Sequence, residues 1–126
     1  MALKWAWHHS HETRRAWDGS KGKASGAASE EKVWGAVEEK KGWSVKRGRV
    51  YTKDSTGQTR VYDGVAITPG NKAIGLEVKS GTSRKTRPQR EYDARVNSGH
   101  SSAIGTGRHD RLEIYKSLEI RVPSEE

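Results

Sequence analysis

Asp63, Glu77 and Lys79, in the segment YDGVAITPGNKAIGLEVKSG, have types and spacing suited to hydrolytic chemistry. Side chains alternate faces along a strand. In KAIGLEVKS this puts Glu77 and Lys79 together beside Gly75, while Ile74, Leu76 and Val78 turn the other way, towards a core. By the same alternation Val61, Asp63 and Val65 share a face in TRVYDGVAI. TPGN between the two strands is a strong turn signal, and a hairpin closed there brings Asp63 towards Glu77 across the ladder. Two converging carboxylates make a hard-cation site suited to magnesium or manganese, with zinc a further candidate. A divalent ion beside a phosphodiester can polarise the phosphoryl group and lower the pKa of a bound water. Lys79 is placed to orient that water or to neutralise growing charge. Gly64, Gly75 and Gly81 are expected to let a phosphate chain approach the backbone.

The elements that must hold these residues follow from pattern. SEEKVWGAVEEKKG reads as a helix, with Ser29 as cap, Val33, Trp34 and Val37 at helical spacing, and Gly42 as the stop. WSVKRGRVYT is a first strand, followed by the two strands above. PQREYDARVN is a helix with Pro88 at its first position, and SAIGTG is a fourth strand. RLEIYKSLEIRVP reads as a short helix or strand and then a final strand. The expected order is α-β-β-β-α-β, an α/β fold around a mixed sheet of about four strands.

Composition bounds the partners. Among 126 residues there are 24 Lys and Arg against 16 Asp and Glu, a net charge of +8. Excess positive charge favours polyanions through long-range attraction and counterion release. Only 31% of residues are hydrophobic, so the core must be small. Without cysteine, disulfides and thiolate metal sites are excluded. No apolar run is long enough to span a bilayer, and MALKWAWHHSHETRRAW lacks the apolar stretch of a signal peptide. Residues 1–25, rich in Trp and His and ending in small polar residues, read as an extension or linker, and 26–126 as the working domain. His8, His9 and His11 could bind a metal and Trp5, Trp7 and Trp17 could stack on bases. A casual tail cluster and plain packing are the simpler expectations for them, and His100 and His109 are read as surface residues.

Asp63, a gap of 13 residues and then Glu77-Val78-Lys79 resemble the core motif of the PD-(D/E)xK nuclease superfamily, with Tyr62 at the variable leading position. The resemblance covers about residues 26–105. It implies a restriction-endonuclease-like core and metal ligation by Asp63, Glu77 and the Val78 carbonyl, with Lys79 as the catalytic lysine. Members often carry a glutamate on the first helix. Counting back from Gly42-Trp43 gives Glu31, whereas a shared helical face with Val33, Trp34 and Val37 favours Glu30. They also often carry a glutamine on the helix after the motif, here Gln89. Arg84, Lys85, Arg87 and Arg90 follow the motif strand directly and are candidates for phosphate contacts.

The same segment is similar to nuclease toxins at the C-terminal ends of large secreted bacterial proteins. That likeness implies action in the cytoplasm of a target bacterium, on DNA, RNA or tRNA. It also implies neutralisation by an immunity protein, which charge complementarity makes acidic. Two other classes fit part of the pattern: a basic nucleic-acid-binding module without catalysis, and a resolvase or repair nuclease without a toxin role.

Overall fold

A computed structural model of the chain describes residues 26–122; the expectations for the N-terminal Trp/His segment lie outside them. Helix α1 spans Gly26–Glu38. It begins earlier than expected, because Ala27 and Ala28 extend it. Ser29 is therefore no cap but a buried residue inside the helix. The helix also ends before Gly42, whose φ of 86° belongs to the turn that follows. Three strands come next: β1 Ser44–Asp54, β2 Thr59–Ile67 and β3 Ala73–Ser80. Helix α2, Arg87–Ser98, starts at a capping box in which Thr86 accepts from the Gln89 N–H and Gln89 accepts from the Thr86 N–H. It stops at Gly99 in the left-handed region. Strand β4 is Ala103–Gly105, and a single 3-10 turn, Gly107–His109, leads into β5, Glu113–Val122.

The architecture is α/β with a mixed sheet, and it has five strands rather than about four. In LEIYKSLEIRV the late segment is one continuous strand, because Ile114, Ser117, Ile120 and Val122 all find burial along it. The sheet order is β1-β2-β3-β5-β4, closed by β4 pairing back onto β1. Among the described residues only the β3–β5 pair is parallel. A parallel neighbour needs a crossover, and α2 supplies it.

Two apolar clusters hold the sheet. Val33, Trp34 and Val37 of α1 pack with Ala66, Ile74, Leu76, Ile120 and Val122. Tyr92 and Val96 of α2 pack with Val50, Tyr62, Val65 and Ile114. At these contacts glycine is a steric requirement. A Cβ on Gly64 would lie 2.6 Å from the Trp34 ring, and one on Gly75 would lie 2.7 Å from Tyr62. The expectation that these two glycines admit a phosphate chain is thus overturned, since aromatic rings already fill the space.

The expected shared face of Val61, Asp63 and Val65 is also corrected. Tyr62 and Val65 sit in one cluster, three residues apart, although strict alternation would separate them. The phase slips at Asp63-Gly64. Across the ladder, β1 carries a bulge at the same level: Arg47 faces Gly64 and Val50 faces Tyr62, so Gly48 and Arg49 together oppose Asp63. Gly48 takes a φ of 89°, which suits the first residue of such a bulge. A bulge bends its strand, sharpens the local twist and re-aims the side chains beside it.

Candidate active site

The re-aimed side chain is Asp63. The β2–β3 ladder runs from Ile67↔Ala73 to Gly64↔Leu76 and goes no further. Beyond it the Asp63 carboxylate, rather than the β2 backbone, accepts the Val78 N–H at 2.8 Å. In an extended chain the N–H and C=O of one residue point to the same edge. The Val78 carbonyl therefore faces the opening between the strands. Meanwhile β3 stays paired with β5 as far as Ser80↔Val122, so one wall of the cleft is rigid.

Into this cleft α1 brings Glu30. Its carboxyl lies within hydrogen-bond reach of the Asp63 carboxyl, with Glu77 near enough to act on both. Burial, first, and then the neighbouring carboxylates Asp63 and Glu77 raise the pKa of Glu30, against the pull of Arg49. For Asp63, burial is again the main upward cause; Glu77 adds to it, while the Val78 N–H and Lys79 oppose it. Both groups keep their proton to a higher pH than an ordinary carboxyl, because burial and then a neighbouring negative charge disfavour the ionised form. The choice between the two helix glutamates falls to Glu30, since Glu31 points outward to Arg47 at 2.7 Å.

Glu77 is buried and held from two sides. Lys79 reaches it at 3.3 Å, as expected for strand neighbours on one face. Its other oxygen accepts from Arg60 at 2.9 Å. Arg60 and Asp93 are the residues that sequence reasoning missed. The Arg60 guanidinium is only 1% exposed and forks onto Asp93 at 3.0 and 2.8 Å. Asp93 also accepts from Lys85 at 2.8 Å and from the Tyr62 hydroxyl at 3.2 Å. Burial alone would raise the pKa of Asp93, but these cationic donors lower it. The signal was present in the pattern: Asp93 lies between Tyr92 and Val96 on the buried side of α2.

The remaining expected residues divide. Gln89 does not turn to the site, because its side chain closes the capping box of α2. Arg87 points into solvent and pairs with Glu91 at 2.9 Å one turn on. Arg84, Lys85 and Arg90 gather beside the end of β3 around a cavity of about 540 Å³. A groove of about 590 Å³, lined in part by Lys46, Lys72 and Tyr115, lies by the β2–β3 turn and contains none of the site carboxylates.

The donor set fits a hard divalent ion. Asp63, Glu30 and Glu77 offer carboxylate oxygens and Val78 a carbonyl; burial first, and then neighbouring carboxylates, raise the pKa of Glu30 and Asp63, and a cation would relieve the second of these causes. Among the described residues no three acidic or imidazole groups close round one point, since Glu77 leans to Arg60 and Lys79. In comparisons with known proteins, no family model, curated protein or solved structure matches the chain.

Proposed function

We propose that this chain is a divalent-metal-dependent nuclease of the PD-(D/E)xK type. The observation that carries the proposal is the parted end of β2 and β3, where the Glu30 and Asp63 carboxyls crowd each other beside Glu77 and Lys79. Asp63, Glu77 and the Val78 carbonyl would hold a magnesium or manganese ion, with Glu30 in support. When bound, the ion would polarise the phosphodiester and acidify a water. Lys79 is paired with Glu77, and the remaining N–H groups of its ammonium would hydrogen-bond a water or a phosphoryl oxygen, and so orient attack or offset growing charge. Arg60 fixes the far side of Glu77, and Asp93 fixes Arg60, so the ligand carboxylate is held before substrate arrives.

The net charge of +8 supports a polyanionic substrate, DNA or RNA. The resemblance of the motif segment to bacterial toxin domains supports delivery into a competitor's cytoplasm and neutralisation by an acidic immunity protein. Incubating the chain with plasmid DNA and total RNA in magnesium or manganese tests the reading. Wild type should cut at least one substrate, and Asp63→Ala should lower the rate by a hundredfold or more, on the order of what loss of one preorganised electrostatic group costs. A wild type that binds these nucleic acids and cuts none overturns the nuclease and leaves a basic binding module. For the toxin role, expression in bacteria should arrest growth, and unimpeded growth of cells making active enzyme overturns that part.

A further inference from the structure

Two residues beyond Lys79 the chain turns at Gly81, and the cavity of about 540 Å³ opens there. Gly81 forms part of its wall, with four cationic side chains, Arg84, Lys85, Arg90 and Arg121, against one carboxylate, Glu119. The cations come from three separate places: the loop after β3, the first turn of α2 and the end of β5. Two are fixed by backbone carbonyls, which orient a guanidinium without neutralising it. Arg121 donates to the Gly81 carbonyl at 3.0 Å and Arg90 to the Lys85 carbonyl at 2.8 Å. Glu119 balances Arg121 in part, at 2.6 Å. Arg84 has no ion pair or hydrogen bond among the described residues.

We infer that this cavity is a phosphate-binding pocket, which takes a phosphate of the nucleic-acid strand next to the one being cut. The inference rests on the nuclease reading and adds Arg121 to it, while leaving Arg87 out. Guanidinium groups held in a fixed fork suit phosphate oxygens bidentately. With Glu119 set against Arg121 and Asp93 against Lys85, Arg84 and Arg90 remain as two positive charges without an ion pair among the described residues. Lys85 links the pocket to the proposed chemistry: the residue lines the pocket and its ammonium is on Asp93, which holds Arg60, which holds Glu77. A phosphate seated here would lie against a residue of the same chain of ion pairs that fixes Glu77.

The test uses the whole chain in EDTA, so that no cleavage occurs, with a fluorescein-labelled single-stranded 12-mer of DNA or RNA read by anisotropy. Arg84→Gln, Arg90→Gln and Arg121→Gln should each weaken binding about tenfold at low salt, as loss of a charged hydrogen bond does. Each should also lower the salt slope by about one. Arg87→Gln should bind within twofold of wild type. Inorganic phosphate at constant ionic strength should displace the 12-mer from wild type and less readily from the three pocket variants. That arm separates a phosphate site from general attraction to a strand. Arg84→Gln removes no hydrogen bond or ion pair among the described residues, so it stands even if Arg121→Gln unfolds. Pocket variants that bind the 12-mer as wild type does, or a phosphate effect equal in all proteins, overturn the pocket. Cleavage with unchanged KM in Arg84→Gln and Arg90→Gln also overturns the pocket and leaves the nuclease. A wild type that shows the expected phosphate binding but cuts nothing overturns the nuclease and leaves the pocket.

Discussion

Asp93 is buried and Asp63 half-buried within one small molecule, and their surroundings act on them in opposite ways. Asp93 faces Arg60, Lys85 and a tyrosine hydroxyl, and its pKa falls despite burial. Asp54 is like it, sealed at the end of β1 and bound by Arg95 and Thr56, with its pKa lowered to about 2. For Asp63 burial and then Glu77 prevail over the Val78 N–H, Lys79 and Arg60, and its pKa rises. A fold built for stability alone would treat every buried carboxylate as it treats Asp93. Acidic groups kept close to each other cost stability, and such costs concentrate where a ligand is to be bound. The contrast separates the carboxylates held by cations from those the proposed function assigns to the metal.

Removing Asp93 breaks the contrast most severely. Asp93→Ala leaves the buried Arg60 with Glu77 and a carbonyl alone, and should cost about 3–5 kcal/mol in urea unfolding, as loss of one partner from a buried pair does. A cost below about 1 kcal/mol would mean that the Arg60 fork contributes little to holding α2 on the sheet.

Asp54 sharpens the contrast through pH. Its folded pKa, about 2, lies below the ordinary value of 3.8, so its contribution is complete above about pH 4 and is lost as pH falls through 2. Asp54→Asn should be less stable than wild type by about 1–3 kcal/mol at pH 7. In thermal unfolding the gap between the two should close between pH 4 and pH 2. A gap that stays constant over that range denies the shift.

Glu30 gives the smallest effect, and the opposite sign. Its pKa is raised by folding, so its negative charge at neutral pH opposes folding, and this cost disappears as pH drops below the folded pKa. Glu30→Gln should therefore gain a few tenths of a kcal/mol at pH 7, of the order seen for exposed charge pairs. Glu31→Gln, which loses only its exposed pair with Arg47, should lose about the same amount. Two variants with the same sign in denaturant melts would remove the distinction between the neighbouring glutamates.

How far the molecule can be read from its chain follows the same division. Strands β2 and β3 were legible to within a residue, because the turn residues TPGN and the period of two are local signals. Glu77 and Lys79 on one face follow from that period, and Glu30 over Glu31 follows from the helical period. The slip at Asp63-Gly64 was not legible, because its cause is a bulge in another strand and an indole ring from α1 pressed on Gly64. Nor was the fate of Gln89, where a capping box won over a reach to the site. Arg60 was passed over because a charge within a strand is ordinarily a solvated one, and its burial depends on Asp93, 33 positions away in the chain. Local period and turn chemistry are thus readable, and pairings between distant elements are not.

The central claim is that the crowded carboxylates of residues 30, 63 and 77 are waiting for a cation. Titration of the chain with manganese, followed calorimetrically and by the loss of free-ion paramagnetic signal, addresses this without any substrate. Saturable binding is expected at pH 7, weakened at least about tenfold in Asp63→Asn, which removes one charged ligand. Acidification should weaken it at a higher pH than ordinary carboxylates would require, because Glu30 and Asp63 hold their protons longer. Equal manganese affinity in wild type and Asp63→Asn, or no saturable binding in either, overturns the account.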